Sequence, residues 1–455
     1  MSGSRSSSAL STRDHDITGF RSATARHEGG ACLPAQLLIG SSAQNRDSVP
    51  RSLESPITAE AQTRAAVNPR PRHAAIAGLA ALLLGIGLSR FAFTPLIPAL
   101  VDAHWFTAAQ AGYLGATNLA GYLLGATIAR HATRHVPAIA LIKAAMIVAA
   151  ASFIACAAPL GFVWYFGWRL TSGIVGGVLM VLAPTAVLAA TPAERRGRVA
   201  GIVFTGVGAG IALAGTAVPW LVRSGLPTAW TALGAVGIAL TALAWGGWPR
   251  SVLAPVVLGR SMRPELTPTV IRLLISYGLL GLAFAPHTVY WTDFIARGLG
   301  FGLGVGGFYW MVLGLGATCG PMLTGIVAER LGFARTYTLT LVVLAICIGA
   351  PAVWPDAPVL LLSSFGAGAC GLATTALGSG RAAELVPIEQ HRQLWGWMTI
   401  AYAVVYAAGG YICAFIFERV GSYSVLFALG AAMALLSALL AWLSARSGRV
   451  VVAAD

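Results

Sequence analysis

The chain has very little charge and almost no lysine. Only 10% of its 455 residues are charged, and Lys143 is the only lysine. A soluble domain carries about a quarter of charged residues, whereas 57% of this sequence is hydrophobic. Most of the charge lies before residue 73 and in short gaps between apolar runs. The composition therefore predicts a polytopic membrane protein.

Motifs for cofactor chemistry are also missing. The six cysteines show no CxxC or other metal-binding spacing, and His131 and His135 have the spacing of a zinc pair without a glutamate between them or a third ligand nearby. No "GxxxxGK[ST]" sequence and no dinucleotide fingerprint after a strand is present. We therefore expect no metal, no cofactor, no direct ATP drive and no enzymatic activity.

The formal net charge of +14 does not indicate nucleic-acid binding, because the arginines are dispersed among hydrophobic segments. The expected partners are the lipid bilayer and a small-molecule substrate, and a monomer is expected. Residues 1–72 are rich in Ser, Arg, Ala and Thr and have no sustained apolar period. They are interpreted as a disordered cytoplasmic tail, or as the product of a start codon assigned upstream of a true start near Val67.

Twelve apolar segments follow, each near or above the roughly 20 residues that cross a bilayer. They are 74–101, 108–129, 137–158, 162–189, 199–221, 228–248, 269–293, 305–327, 336–354, 358–380, 394–417 and 423–444. The longest connection, 249–267, is the predicted cytoplasmic linker between a six-helix bundle at 73–248 and another at 268–445. Residues 446–455 form a short tail. The predicted fold class is therefore an all-α polytopic membrane protein with two six-helix bundles.

Arginines between the segments predict the orientation, since cytoplasmic loops are enriched in positive charge. One side has Arg130, Arg134, Arg195, Arg196, Arg198, Arg250, Arg260, Arg263, Arg330, Arg335, Arg381, Arg392, Arg446 and Arg449. The opposite side has only Arg223, Arg297 and Arg419. Both termini are thus expected on the cytoplasmic side of the membrane.

The two halves share an internal repeat. After the second segment the chain reads "GATIARHATRH", and after the eighth it reads "GIVAERLGFAR", with Gly125 and Arg130 matching Gly325 and Arg330. The second of these stretches resembles the signature of the major facilitator superfamily, and "WRLTSGIVGG" is similar to that superfamily's fourth segment. The first copy departs from the signature, because Ala129 stands where an acid is expected.

A narrower resemblance comes from "GLSRFAFTPLIP", "AAQAGYLGATNLAGYLLGA" and "PHTVYWTDFIARGLG". Together they resemble the bacterial YbfB/YjiJ-type branch of the superfamily, over roughly residues 74–445. The resemblance implies the major facilitator fold and a secondary transporter of the bacterial inner membrane. Its central cavity would be lined by segments one, four, seven and ten. It does not supply a substrate.

Arg90 interrupts the first apolar segment, and an arginine near the middle of a membrane helix costs about 2.5–3.5 kcal/mol on insertion scales. It is interpreted as a contact for substrate, or as a residue that pairs helices. Gly85, Gly87, Pro95 and Pro98 on the same segment predict close packing and a bend.

Arg169 is expected at a depth similar to that of Arg90, so that the two guanidinium groups would attract an anion. The alternative is that Arg169 pairs with a helix carbonyl or with Asp293. Asn118, Tyr277, Tyr290 and Trp291 are further substrate-binding candidates, although such residues also join helices.

His287 and Asp293 are the candidates for proton coupling, because histidine titrates near neutral pH. A packed neutral histidine remains the alternative for His287, and a simple ion pair with Arg297 at i, i+4 is the alternative for Asp293. Glu329, Arg330 and Arg130 are predicted to form a gate.

The sequence thus predicts a proton-coupled secondary transporter that works by alternating access and carries a small, anionic organic solute. Efflux of amphipathic, drug-like compounds is the alternative within transport, and a membrane channel or sensor is the alternative of another class.

Overall fold

The computed structural model describes residues 71–192, 195–249 and 264–447. The predicted tail up to residue 70, most of the predicted linker and the last eight residues lie outside this part of the chain. The described residues form twelve long helical spans. They are α1, whose two α-helical parts are Pro71–Leu82 and Phe93–Asp102, then α2 Ala108–Ala132, α3 Ala138–Ala155, α4 Phe162–Ala189, α5 Arg196–Val222, α6 Leu226–Ala244, α7 Pro268–Asp293, α8 Gly302–Leu331, α9 Phe333–Gly349, α10 Ala357–Leu385, α11 Ile388–Val420 and α12 Tyr423–Ser447.

Eleven helices of the described residues are long and apolar enough to cross a membrane, judged by length and composition alone. The twelfth, α2, has 25 residues. It packs along α4 and α11, so most of its surface faces other helices. The helices coincide with the twelve apolar segments of the sequence to within a few residues, except that α11 begins earlier, at Ile388.

The packing repeats after six helices. In the first half, α2 packs on α4, α3 on α6, and α1 on α5; in the second half, α8 packs on α10, α9 on α12, and α7 on α11. Each pair in the first half therefore has its counterpart six helices later. The two halves join through α5 with α8, α2 with α11, and the second part of α1 with α7.

Glycines allow the halves to approach closely along α5 and α8. A Cβ on Gly215 would lie 2.5 Å from the carbonyl oxygen of Gly307 and 2.5 Å from the amide nitrogen of Met311. Further along the same two helices, Gly208 faces the backbone of Gly314. Backbone therefore packs directly on backbone at this junction, which leaves no space for larger side chains.

In the part of the chain that the structure describes, polar and aromatic contacts between the halves lie from the middle of the helices to one end. We call this the closed end; it is where α1, α7 and α11 finish and where α2 and α8 begin. Here Arg297 Nε lies 3.1 Å from Asp102 Oδ1, and the Tyr113 hydroxyl donates to Glu418 at 2.7 Å. The opposite end, which we call the open end, carries Glu329 and Arg330, both exposed.

Candidate functional site

The first span is not a continuous α-helix. After Leu82 it becomes a π-helix from Leu83 to Leu88, and residues 89–92 form a turn before the α-helix resumes at Phe93. Gly85 and Gly87 lie within the π-helical part, where Gly87 packs against the backbone of Gly210 on α5. The predicted irregularity is therefore present, and its centre is the π-helix and turn rather than Pro95 or Pro98, which both lie in the resumed helix.

Arg169 on α4 stabilises this turn. Its Nη1 donates to the carbonyl oxygen of Ser89 at 2.8 Å, and its guanidinium lies 4.2 Å from the ring centroid of Phe93. Only 3% of Arg169 is exposed. An interrupted helix leaves backbone carbonyls without their usual donors, so Arg169 supplies a donor at the interruption. Pairing with a helix carbonyl, one of the two alternatives for this residue, is what the structure contains.

Arg90 follows Ser89 directly and is surrounded by aromatic rings. Its guanidinium carbon lies 4.4 Å from the centroid of Tyr406, 4.9 Å from Phe91 and 5.6 Å from Tyr122. Its Nε has no hydrogen-bond partner, and within the described part of the chain no carboxylate pairs with it. Arg90 is nevertheless only half-buried as a residue, in contrast to the buried Arg169.

A narrow cavity lies where the two halves meet at mid-depth. Helices α1, α2, α4, α7 and α11 contribute its walls, and both predicted arginines line it together. Its other lining residues are Phe91, Phe93, Thr94, Ile97, Gly115, Leu119, Thr288, Val289 and Tyr406. The Thr94 hydroxyl donates to the carbonyl of Thr288 across the junction. The structure thus brings Arg90 and Arg169 to one cavity, where Arg90 is the accessible cation.

The interior carries little negative charge to balance these arginines. Among the described residues Asp293 is the only acidic side chain that is fully buried, and it is paired with Arg297 near the closed end. The cavity at mid-depth therefore has an excess of positive charge, in surroundings where electrostatic attraction is stronger than in water.

Three of the other predicted residues pack within a single half of the protein, Asn118 in the first half and His287 and Trp291 in the second. Asn118 donates to Ser172 Oγ at 2.8 Å and so joins α2 to α4. His287 stacks on Trp291, with ring centroids 4.4 Å apart, and its Nε2 lies 2.9 Å from Ser363 Oγ. The indole of Trp291 donates to Ser364 at 3.0 Å. These three side chains connect helices within a half and do not line the cavity.

Two predicted tyrosines lie elsewhere along the junction. Tyr290 is buried at the closed end, where its ring lies 5.1 Å from Phe417 and its hydroxyl packs against Gly112 of the first half. Tyr277 lies on the open side of the cavity and contacts the rings of Trp395 and Tyr402 on α11. Tyr290 thus packs between the halves at the closed end, and Tyr277 packs against α11 on the open side of Arg90.

Asp293 belongs to a network that reaches both halves. Arg297 Nη1 lies 3.2 Å from Asp293 Oδ1, at the predicted i, i+4 spacing, and the Tyr423 hydroxyl donates to Asp293 Oδ2 at 2.6 Å. The same arginine reaches Asp102 of the first half. One guanidinium therefore joins a buried acid in the second half to an exposed acid in the first.

The predicted gate at the open end shows no such contact. Glu329 and Arg330 are both exposed, and no ion pair of theirs occurs among the described side chains. Arg130 lies on α2, and its side chain is outside the described residues. The gate therefore stays a prediction. The closed-end pair of Tyr113 and Glu418 was not identified from the sequence.

The sequence interpretation also missed the tyrosines around Arg90. Tyr402 and Tyr406 are four residues apart on α11, and Trp395 precedes Tyr402 by seven. This spacing places all three on one helix face and was a usable signal. Tyr122 on α2 had no comparable pattern. In the described ranges, no three His, Cys, Asp or Glu side chains lie together in a group that would hold a metal ion.

Comparisons with known proteins agree with this architecture. A family model described as "Uncharacterised MFS-type transporter YbfB" matches residues 82–442. No curated protein sequence matches the chain. Solved structures do: an inward-facing, unoccupied bacterial homologue of the human lysosomal transporter Spinster has a TM-score of 0.67 at 15% identity, covering 83% of this chain and 98% of its own.

Two further transporter structures match over similar lengths. A D-xylose-proton symporter has a TM-score of 0.67 at 16% identity, covering 81% of this chain and 96% of its own. A variant of the nucleoside transporter NupG has a TM-score of 0.65 at 13% identity, covering 83% of this chain and 100% of its own. At these identities the likeness establishes the fold alone, and it confirms the predicted class: an all-α membrane protein with the major facilitator fold.

Proposed function

Because the chain belongs to the YbfB family of major facilitator transporters, we propose that it is a secondary transporter of small organic anions that works by alternating access. The proposal that the solute is an anion rests on one observation. Arg90 is an accessible cation at mid-depth, and no described carboxylate neutralises it. A solute that brings its own negative charge completes the site.

The aromatic rings around Arg90 offset the cost of burying it and leave its charge without a carboxylate partner. Inserting an arginine at the membrane centre costs about 2.5–3.5 kcal/mol. Each cation–π contact returns about 0.5–2 kcal/mol, so the rings of Tyr406, Phe91 and Tyr122 support the guanidinium without neutralising its charge. A carboxylate forms two parallel charge-assisted hydrogen bonds with a guanidinium. It is therefore the group that this cation binds best.

The two ends of the molecule support alternating access. Among the described residues the contacts between the halves lie from mid-depth to the closed end, and an inward-facing transporter structure has the same fold. The concentration of arginines in the loops of the open end supports a cytoplasmic position for that end in a bacterial inner membrane. We therefore take the conformation to be inward-facing, with Arg90 reached from the cytoplasmic side.

The network around Arg297 supports proton coupling at Asp293. Opening of the closed end separates α1 from α7 and breaks the contact between Arg297 and Asp102. Asp293, fully buried in this conformation, then faces the outer solution and accepts a proton there. His287 is a less favourable proton site, because it is enclosed by Trp291 and Phe427 in the interior of the second half.

Uptake in proteoliposomes tests the anion proposal. The protein is reconstituted and screened with a panel of radiolabelled organic anions and neutral analogues at several pH values. Saturable uptake of an anion supports a carrier, whereas flux that rises linearly with concentration supports a channel. We expect Arg90→Ala to reduce uptake at least tenfold.

Arg223→Gln is the matched control for that variant, because it removes an exposed arginine at the end of α5, away from the cavity. It should leave uptake unchanged. If a correctly inserted Arg90→Ala protein transports the anion as fast as the unmodified protein, Arg90 does not bind the solute and the anion proposal is wrong.

A further inference from the structure

Four aromatic side chains form a continuous row from the open side of the cavity to Arg90. Ring centroids lie 5.3 Å apart between Trp395 and Tyr277, 5.6 Å between Tyr277 and Tyr402, and 5.3 Å between Tyr402 and Tyr406. The last ring lies 4.4 Å from the guanidinium of Arg90. We call these four residues the aromatic row.

The row follows one face of α11. Trp395, Tyr402 and Tyr406 are separated by seven and four residues, so they lie on one side of the helix and extend about 16 Å along its axis. Tyr277 joins the row from α7. Trp395 and Tyr402 are half-buried, whereas Tyr277 and Tyr406 are buried. Half-buried and buried rings thus alternate along the row.

Arg90 offers one positive charge to a solute that lies along the row. Arg169 is already committed to the carbonyl of Ser89 and is buried. The hydroxyl of Tyr406 is likewise engaged, since it donates to Thr288 Oγ1 at 2.7 Å. Among the described side chains, a solute therefore meets one half-buried cation next to ring faces, and a second negative charge on the solute would find no second described cation there.

We propose that the transported solute is an aromatic monocarboxylate, whose carboxylate binds Arg90 while its ring packs against the aromatic row. The inference rests on the proposed anion transport and narrows its substrate class. Aromatic rings pack favourably on one another in offset or edge-to-face arrangements at centroid distances of about 4.5–7 Å. The row has this spacing, so a ring of the solute continues a packing that already exists.

The test compares aromatic acids with their ring-saturated analogues in proteoliposomes of the full-length protein. Benzoate, phenylacetate and trans-cinnamate are the aromatic probes; cyclohexanecarboxylate and cyclohexylacetate carry the same charge without the aromatic ring, and phthalate adds a second charge. We expect half-saturation for the best aromatic probe at a concentration at least tenfold lower than for its saturated analogue or for phthalate.

Variants of Tyr402 test the role of the ring directly. Tyr402→Leu should raise the half-saturating concentration of the aromatic probe at least tenfold, and Tyr402→Phe, which keeps the ring, at most twofold. Phe415→Leu removes an exposed aromatic side chain from the same helix and should have no effect. A loss that is equal in Tyr402→Leu and Tyr402→Phe overturns the proposal.

The outcomes separate this inference from the proposal on which it rests. If saturated and aromatic acids are transported equally well and both depend on Arg90, the anion proposal stands and the aromatic inference is wrong. If none of the three aromatic acids is transported while another anion is, the inference is again wrong. If transport of every anion is independent of Arg90, both proposals are wrong.

Discussion

Replacing Asp102 with asparagine tests whether the ion pair at the closed end holds the two halves together. Arg297 Nε lies 3.1 Å from Asp102 Oδ1, and 30% and 68% of the two side chains are exposed. Water screens such a pair, so it contributes about 0.2–1 kcal/mol. The substitution keeps the size of the side chain and removes its charge.

The expected effect is modest because of this exposure. A loss of about 0.2–1 kcal/mol changes the ratio of closed to open molecules by about 1.4- to 5-fold. The Tyr113 hydroxyl remains bound to Glu418, and backbone packing between α5 and α8 is untouched. The closed end should therefore open more often in Asp102→Asn without becoming open in most molecules.

Distances between two spin labels, measured by double electron–electron resonance, give the ratio of closed to open molecules. Spin labels are attached to Ala103→Cys in the first half and Val420→Cys in the second, both exposed near the closed end, in a protein whose six native cysteines are replaced by alanine. Asp102→Asn should enlarge the long-distance population by the factor given above. Arg223→Gln, which removes another charge at this end, should leave it unchanged.

Two results would refute the reasoning. If Asp102→Asn and the double variant Asp102→Asn with Tyr113→Phe both give the distance distribution of the parent, these contacts do not stabilise the closed end. If Asp102→Asn alone opens nearly all molecules, a pair this exposed contributes far more than solvent screening allows, and the assignment of the remaining closure to α5 and α8 is wrong.

Two further predictions concern Arg169 and Asp293. Arg169→Leu leaves the Ser89 carbonyl with only the Ser172 hydroxyl, at 3.5 Å, as a side-chain donor, which should destabilise the protein by about 1–3 kcal/mol. A lower midpoint of thermal unfolding in detergent than for Arg90→Ala checks this, and equal midpoints would contradict it. Asp293→Asn should abolish solute accumulation driven by a pH gradient while solute exchange persists, whereas His287→Gln should retain both. Accumulation that survives Asp293→Asn excludes Asp293 as the coupling site.

The number and limits of the helices could be predicted from the sequence because the bilayer imposes a simple rule. A span needs about 20 apolar residues, and each predicted segment satisfies it. The repeat of six plus six was visible in Gly125 and Gly325 with their following arginines. The packing of α2 on α4 and of α8 on α10 has the same repeat.

The direction in which each side chain points could not be predicted in the same way. In a soluble helix one apolar face marks the interior, but a membrane helix is apolar on all sides, so periodicity does not tell the cavity from lipid or from a neighbouring helix. His287 and Tyr277 lie on the same helix, and the hydrophobic pattern of that helix does not indicate which of the two side chains faces the cavity. The structure encloses His287 against Trp291 and places Tyr277 in the wall below Arg90.

The site around Arg90 includes the contact between Arg169 and the Ser89 carbonyl, which no local sequence pattern predicts. The sequence placed Arg90 and Arg169 at one depth as anion contacts, with a helix carbonyl or Asp293 as the alternative partner of Arg169. In the structure Arg169 donates to the carbonyl of Ser89, which lies at the interruption after Leu88. Identifying the acceptor of Arg169 requires knowing where α1 unwinds, and the glycines at 85 and 87 locate that point only approximately.

The two arginines are best understood as one arrangement in which Arg169 positions Arg90. Arg169 holds the Ser89 carbonyl at 2.8 Å, and Arg90 is the next residue, so fixing that peptide fixes the direction in which the Arg90 side chain leaves the backbone. The rings of Phe91 and Tyr406 then hold the guanidinium on two sides. A single arginine could not both donate to the free carbonyl of the interrupted helix and direct its guanidinium into the cavity. With two arginines, the one on α4 donates to the interrupted backbone, and the one on α1 has no carboxylate partner among the described residues. In the function that we propose, the arginine on α1 binds the solute.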